Sequence, residues 1–151
     1  MLRPRPKGNW KVGDPVPEFR VEGLGGRRVR LGDYRGKFVL VRFEASWSGA
    51  SGGEVANLKA VHERFGRDGW LAMVGLSLDG DREAARRFAA ERGLPGRQGW
   101  PGDWSGTDLP DAFRVESISS SFLIGPDGDV RAGNLRGAAI LPAVEQVLRA
   151  R

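Results

Sequence analysis

The sequence predicts an α/β sandwich built on a mixed sheet, and three observations carry that prediction. Two apolar, β-rich runs, Phe38-Val39-Leu40-Val41 continuing to Phe43 and Leu71 to Leu78, are each followed by a segment of helical period. Strand, helix, strand, helix in that order implies a parallel pair joined by a right-handed crossover. Near the end, Gly125-Pro126-Asp127-Gly128 separates two short strand-like runs, the signature of an antiparallel hairpin.

Taken in order, residues 1–11 hold Pro4, Pro6, Gly8 and the basic residues Arg3, Arg5, Lys7 and Lys11 without periodicity, and read as a linker or tail. The domain, residues 12–151, is expected to begin near Val12. Phe19 to Glu22 and Arg27 to Leu31 flank Gly23-Leu24-Gly25-Gly26, an N-terminal hairpin signal. The first long strand, from Phe38, is suited to a sheet interior, although Arg42 and Glu44 interrupt its far end. Glu54 to Phe65 places Val55, Leu58, Val61 and Phe65 on one helical face, with Gly66 as the stop. Asp81 to Arg92 repeats the pattern with Ala84, Ala85, Phe88 and Ala89 inward and Gly93 ending it. Leu94 to Pro110, rich in Gly, Pro, Trp and Asp, reads as a structured loop carrying Trp100 and Trp104. Ser121 to Ile124 and Asp129 to Ala132 form the closing hairpin. A last helix, Leu141 to Ala150, tolerates Pro142 in its first turn and turns Val144, Val147 and Leu148 toward the sheet.

Composition narrows the chemistry. The 151 residues contain no cysteine, which removes disulfides, thiolate metal sites and thiol nucleophiles together. One histidine, His62, leaves too few nitrogen ligands for an ordinary zinc site, so neither metal nor cofactor is expected. The formal charge of +5 favours acidic partners at low salt, but the basic residues are scattered: the leader, then Arg27, Arg28 and Arg30 on one strand, then Arg86 and Arg87 on a helix. That distribution reads as solvated faces, and nucleic acid is not the expected partner. No apolar run reaches the roughly 18 residues of a membrane span, and the opening MLRPRPKGNW has no apolar signal core. The chain is expected to be cytoplasmic or an excised domain of an exported protein.

Trp47-Ser48-Gly49-Ala50-Ser51-Gly52-Gly53 lies where a strand turns into a helix, the place where chemistry is commonly found. As a phosphate loop it fails, because no lysine follows the glycines and Glu54 would face the phosphate. Gly49-Ala50-Ser51-Gly52-Gly53 does satisfy the G-x-S-x-G nucleophile elbow. Yet a serine needs a base, and His62 stands further along the same helix, roughly 16 Å away at about 1.5 Å per residue. A triad histidine should come from a separate late loop, and the sequence has none.

Val12-Gly13-Asp14-Pro15-Val16-Pro17-Glu18-Phe19, Leu31-Gly32-Asp33-Tyr34-Arg35-Gly36-Lys37, the Phe38–Phe43 strand and Ala45-Ser46-Trp47-Ser48-Gly49-Ala50-Ser51 together resemble the TlpA-like redoxin branch of the thioredoxin-fold proteins. Gly75-Leu76-Ser77-Leu78-Asp79 and Phe122-Leu123-Ile124-Gly125-Pro126-Asp127-Gly128 fit the same pattern, so the resemblance spans about residues 12–150. It implies a thioredoxin-like three-layer sandwich with an N-terminal hairpin and a C-terminal antiparallel hairpin, and thiol-disulfide oxidoreductase ancestry. Active members carry W-C-G-P-C, in which the first cysteine attacks as a thiolate and the second resolves the mixed disulfide. Ser48 and Ser51 occupy those two places, with Ala50 in place of proline and Ser119 where the family has a cis-proline. A non-proline cis bond costs about 2.5–4 kcal/mol, so a trans peptide and a remodelled loop are expected before Ser119.

The vestigial positions are thus Trp47, Ser48, Gly49, Ala50, Ser51 and Ser119, none of them expected to be catalytic. Arg42 and Glu44, two apart on one strand face, are expected to pair, as a partly exposed salt bridge of small worth or as a functional pair. Change across the whole site, at Ala50 and Ser119 as well as at the serines, is the pattern of natural loss; the competing reading is a cysteine-to-serine inactivated oxidoreductase. The leading expectation is a redox-inactive binding or scaffolding module with a protein or peptide partner. Its groove would draw on Trp47, Trp104, Arg42, Glu44 and the helix start at 48–53, with Trp100 structural and the serines serving as helix caps. An alternative of another class is non-thiol enzyme chemistry using Ser48, Ser51 or Glu44.

Overall fold

A computed structural model describes residues 10–67 and 69–150. The leader at residues 1–9, with Arg3, Arg5 and Lys7, lies outside the described residues. Seven strands, β1 Arg20–Gly23, β2 Val29–Arg30, β3 Phe38–Glu44, β4 Leu71–Ser77, β5 Arg97–Trp100, β6 Ser120–Ile124 and β7 Val130–Leu135, form one sheet in the order β2-β1-β5-β4-β3-β6-β7. β3, β4 and β5 run parallel; the remaining pairs are antiparallel. The helices are α1 Gly49–Val61, α2 Arg82–Arg92, α3 Leu109–Ala112 and α4 Ile140–Arg149.

The central strand β3 is buried along its whole length, and its alternation divides the core in two. Val39, Val41 and Phe43 join Phe113, Phe122 and Leu76 on one face. Phe38 and Leu40 meet Leu58 and Val61 of α1 and Ile140, Val144 and Leu148 of α4 on the other. Phe113 stacks on Phe122 at 5.5 Å between ring centroids, and Trp10 meets both rings edge-on. Burying one such side chain is worth about 1.5–3 kcal/mol. The Trp10 indole also donates to the Phe113 carbonyl at 3.1 Å, so the packed domain reaches at least two residues ahead of the expected start at Val12.

Three further readings need correction. β5 was expected to be loop; it pairs with β4 on one side and β1 on the other, and this joins the N-terminal hairpin to the central sheet. α1 begins at Gly49 rather than Glu54, because Ser48 is extended and caps it, and it continues past Val61 as a π-helical turn, His62–Gly66. The Ile118–Ser119 peptide is cis, where trans was expected. The folded chain has its path set on both sides of that bond, by burial of Ser119 and by the pairing of Ser120 with Phe43. Gly93 does end α2, in the left-handed region at φ 61°. Among the described residues no helix is long and apolar enough to cross a membrane.

Candidate functional site

The segment 45–51 leaves the C-terminal end of β3 beside the end of β4, and its polar groups are bound locally. The Ser51 backbone N–H donates to Ser48 Oγ at 3.4 Å, a long N-cap bond of the kind serine provides. Ser51, buried at 2% exposure, accepts at its own Oγ from the Ala45 N–H at 3.2 Å. Each hydroxyl therefore holds backbone at the turn into α1. Among the described residues neither donates to a carboxylate or an imidazole, and His62 sits beyond the other end of α1. Gly49 and Ala50 are exposed on the first turn, and Trp47 projects with 61% exposure.

Asp79 ties this loop to β4. Its carboxylate accepts from Ser46 Oγ at 2.6 Å, Ser77 Oγ at 2.7 Å and the Ser46 N–H at 3.1 Å, and its carbonyl accepts from the Trp100 indole at 2.8 Å. Trp100 is thus a structural clamp, as the sequence suggested. The Ser46, Ser77 and Asp79 cluster was not read from the sequence; Ser77 and Asp79, two apart at a strand end, were its one available signal.

Beneath the loop, Arg42 Nε donates to Glu44 Oε2 at 3.1 Å, with side-chain exposures of 0% and 5%. The guanidinium also reaches the Pro95 carbonyl at 3.4 Å and Gln98 Oε1 at 3.3 Å. The expected pairing is present, but deep in the fold rather than partly exposed. Gly75, opposite Arg42 on β4, makes room for it. A Cβ there would lie 2.4 Å from Gln98 Oε1, 2.6 Å from Glu44 Oε1 and 2.8 Å from Arg42 Nη2. Burial pushes the Glu44 carboxyl above its usual value against the opposing pull of Arg42. Burial likewise raises Glu54 of α1, although the Gly137 N–H donates to its Oε1 at 3.0 Å; its Oε2 has no hydrogen-bond partner.

The groove expected from Arg42, Glu44 and Trp104 is not assembled. Arg42 and Glu44 share the face of Phe38 and Leu40, whereas Trp104 packs with Phe43 and Phe113 across the sheet. Ser119 is buried at 3% exposure, followed by the equally buried Ser120 and Ser121. Among the described residues no group of three or more His, Asp or Glu is placed to hold a metal ion.

A strand, a capped turn and a helix in this sheet order, with serines at both turn positions, can be set beside known proteins. The family model for AhpC/TSA matches residues 12–132. The chain belongs to that family. Among curated relatives, it is 26% identical over 143 residues to the thiol-disulfide oxidoreductase ResA of Oceanobacillus iheyensis, covering 92% of this chain and 72% of that one. It is 25% identical over 124 residues to ResA of Bacillus subtilis, covering 82% and 67%. The thioredoxin domain of a thiol-disulfide oxidoreductase from Bacteroides vulgatus superposes with a TM-score of 0.83 at 24% identity, covering 91% of this chain and 97% of that one. A thiol:disulfide interchange protein from a Bacteroides species gives 0.83 at 24% identity, with 93% and 91% covered. The fold is thioredoxin-like, and with no cysteine in the sequence this family member has a degenerate site. Two serine hydroxyls cannot interconvert with a linked, oxidised form, so dithiol-disulfide exchange through its own side chains is closed to it.

Proposed function

We propose that this chain is a redox-inactive redoxin domain that holds an extended peptide or a partner protein against the Trp47 loop. The relatives are named for exchanging thiols and disulfides; without cysteine, recognition is the part of that activity still open to these residues. One observation carries the reading. Trp47 stands 61% exposed at the tip of a loop whose serines and Asp79 are bound to the protein itself. An indole offers a large, rigid anchor with a polar edge, and a fixed backbone lowers the ordering cost of binding.

NMR titration of the full chain with a panel of extended peptides tests it. Shifts are expected to centre on the Trp47 indole and the amides of residues 48–51 and 119–120, and Trp47→Ala should weaken binding at least ten-fold. Peptide affinities unchanged in Trp47→Ala would overturn the assignment. Insulin reduction above background by the purified chain with dithiothreitol, or ester hydrolysis abolished by Ser51→Ala, would replace it with an enzyme.

A further inference from the structure

The N-terminal hairpin and β5 border a second feature, remote in character from the Trp47 loop. An open surface pocket of about 320 Å³ is lined by Arg20, Arg27, Arg28, Arg30, Arg97 and one carboxylate, Asp33, all of them exposed. The arginines come from three places in the sequence: the β1–β2 ladder brings Arg20 and Arg30 together, and docking of β5 beside β1 adds Arg97. Arg20 and Arg30 stand directly opposite each other across the β1–β2 ladder, a like-charge arrangement that costs stability unless something offsets it.

Little within the protein does so. Asp33 is engaged by Arg30, at 3.0 Å, and Glu22 by Arg82, at 2.8 Å. Among the described residues no carboxylate lies within ion-pair distance of Arg20, Arg27, Arg28 or Arg97. Arg97 is nevertheless fixed in place, because its Nη2 donates to the carbonyls of Arg27 and Arg28 at 3.2 Å each. That arm crosses from β5 to the end of the hairpin turn and holds the charges around one space.

The geometry points to a binding site for a compact anion carrying several linked phosphates, a condensed phosphate or the polyphosphate moiety of a small molecule. Guanidinium forks match phosphate oxygens in pairs, and several of them around one space favour an anion of several charges over a single phosphate. The volume lies at the small end of the roughly 300–1,000 Å³ range of ligand pockets. No aromatic ring is among its lining residues, and the Tyr34 phenol, beside them, is hydrogen-bonded to Arg97. The arginines line a pocket instead of tracking a long stripe, which separates this site from a nucleic-acid footprint.

Calorimetric titration of the full chain with tripolyphosphate, at low and at moderate salt, tests the assignment. One saturable site is expected, weaker as salt rises, with orthophosphate binding at least ten-fold less tightly. The Arg20→Ala/Arg28→Ala double variant removes two guanidiniums that make no side-chain hydrogen bond or ion pair among the described residues, so it should melt no lower than the wild type while its affinity falls at least ten-fold. Arg149→Ala, on the exposed side of α4, should bind as the wild type does. Absence of binding at low salt, equal affinities in the double variant and Arg149→Ala, or equal affinities for tripolyphosphate and orthophosphate would each overturn the site. So would a short DNA duplex or anionic vesicles binding more tightly than tripolyphosphate at these arginines.

Discussion

The Trp47 loop and the arginine pocket treat polar groups in opposite ways. At the loop, hydroxyls and a carboxylate are bound to backbone and to one another: Ser51 to Ala45, Ser48 to Ser51, Asp79 to Ser46 and Ser77. At the arginine pocket, Arg20, Arg27 and Arg28 line one open space with no carboxylate in ion-pair range among the described residues. The difference separates two states a functional surface can be in. Where polar side chains are bonded internally, they act as fasteners whose loss is felt as stability. Where charge stays uncompensated, side chains contribute little to the fold, and their removal is felt as binding.

That contrast can be broken by mutation, beginning where the effect is largest. Glu44→Ala leaves Arg42 charged, buried and without its partner, and should cost about 3–5 kcal/mol in a urea denaturation series. A loss under about 1 kcal/mol would show that water enters beneath the loop. Ser51→Ala strands the Ala45 N–H in a buried place and should cost about 1–3 kcal/mol in the same measurement, with no change in the denaturant slope.

Glu54→Gln sharpens the picture through pH. Burial raises the Glu54 carboxyl in the folded state, so the native protein holds that proton more tightly than the unfolded chain does. The stability this contributes is complete below the usual carboxylate value of 4.5 and is lost as pH climbs through the raised folded value. Wild type minus Glu54→Gln stability should therefore decline from pH 4 toward neutrality, as read from paired denaturation curves. A difference that stays flat or grows with pH would contradict the burial argument. Smallest of all, Arg20→Ala should move stability by no more than about 0.5 kcal/mol, and in the stabilising direction, since it relieves the repulsion from Arg30 across the ladder.

Much of this architecture was legible in the residues. The runs Phe38–Phe43 and Leu71–Leu78 announce interior strands because hydrophobic, β-branched side chains fill both of their faces, and Pro126-Asp127-Gly128 marks a turn by its backbone preferences alone. Arg97-Gln98-Gly99-Trp100 announces nothing. Gly99 is required by contact, since a Cβ there would lie 2.6 Å from Val21 Cγ2, and that requirement belongs to the partner strand rather than to local sequence. The same reason hid the arginine pocket. Arg27, Arg28 and Arg30 read as a solvated face until β5 brings Arg97 against them and the ladder sets Arg20 opposite Arg30. At the loop, the serine caps and the Arg42–Glu44 pair followed from spacing. The depth of that pair, and its separation from Trp104 by the sheet, depended on which face α1 covers.

Gly75 carries the last lesson. Its missing side chain is what lets an arginine and a glutamate of β3 meet a glutamine of β5 inside the protein, so positions 42, 44, 75 and 98 form one physically coupled unit. Changing one of the four alone ejects or orphans the others. A lineage that set out to recover an apolar interior here would have to exchange them together, whatever happened to the two serines above.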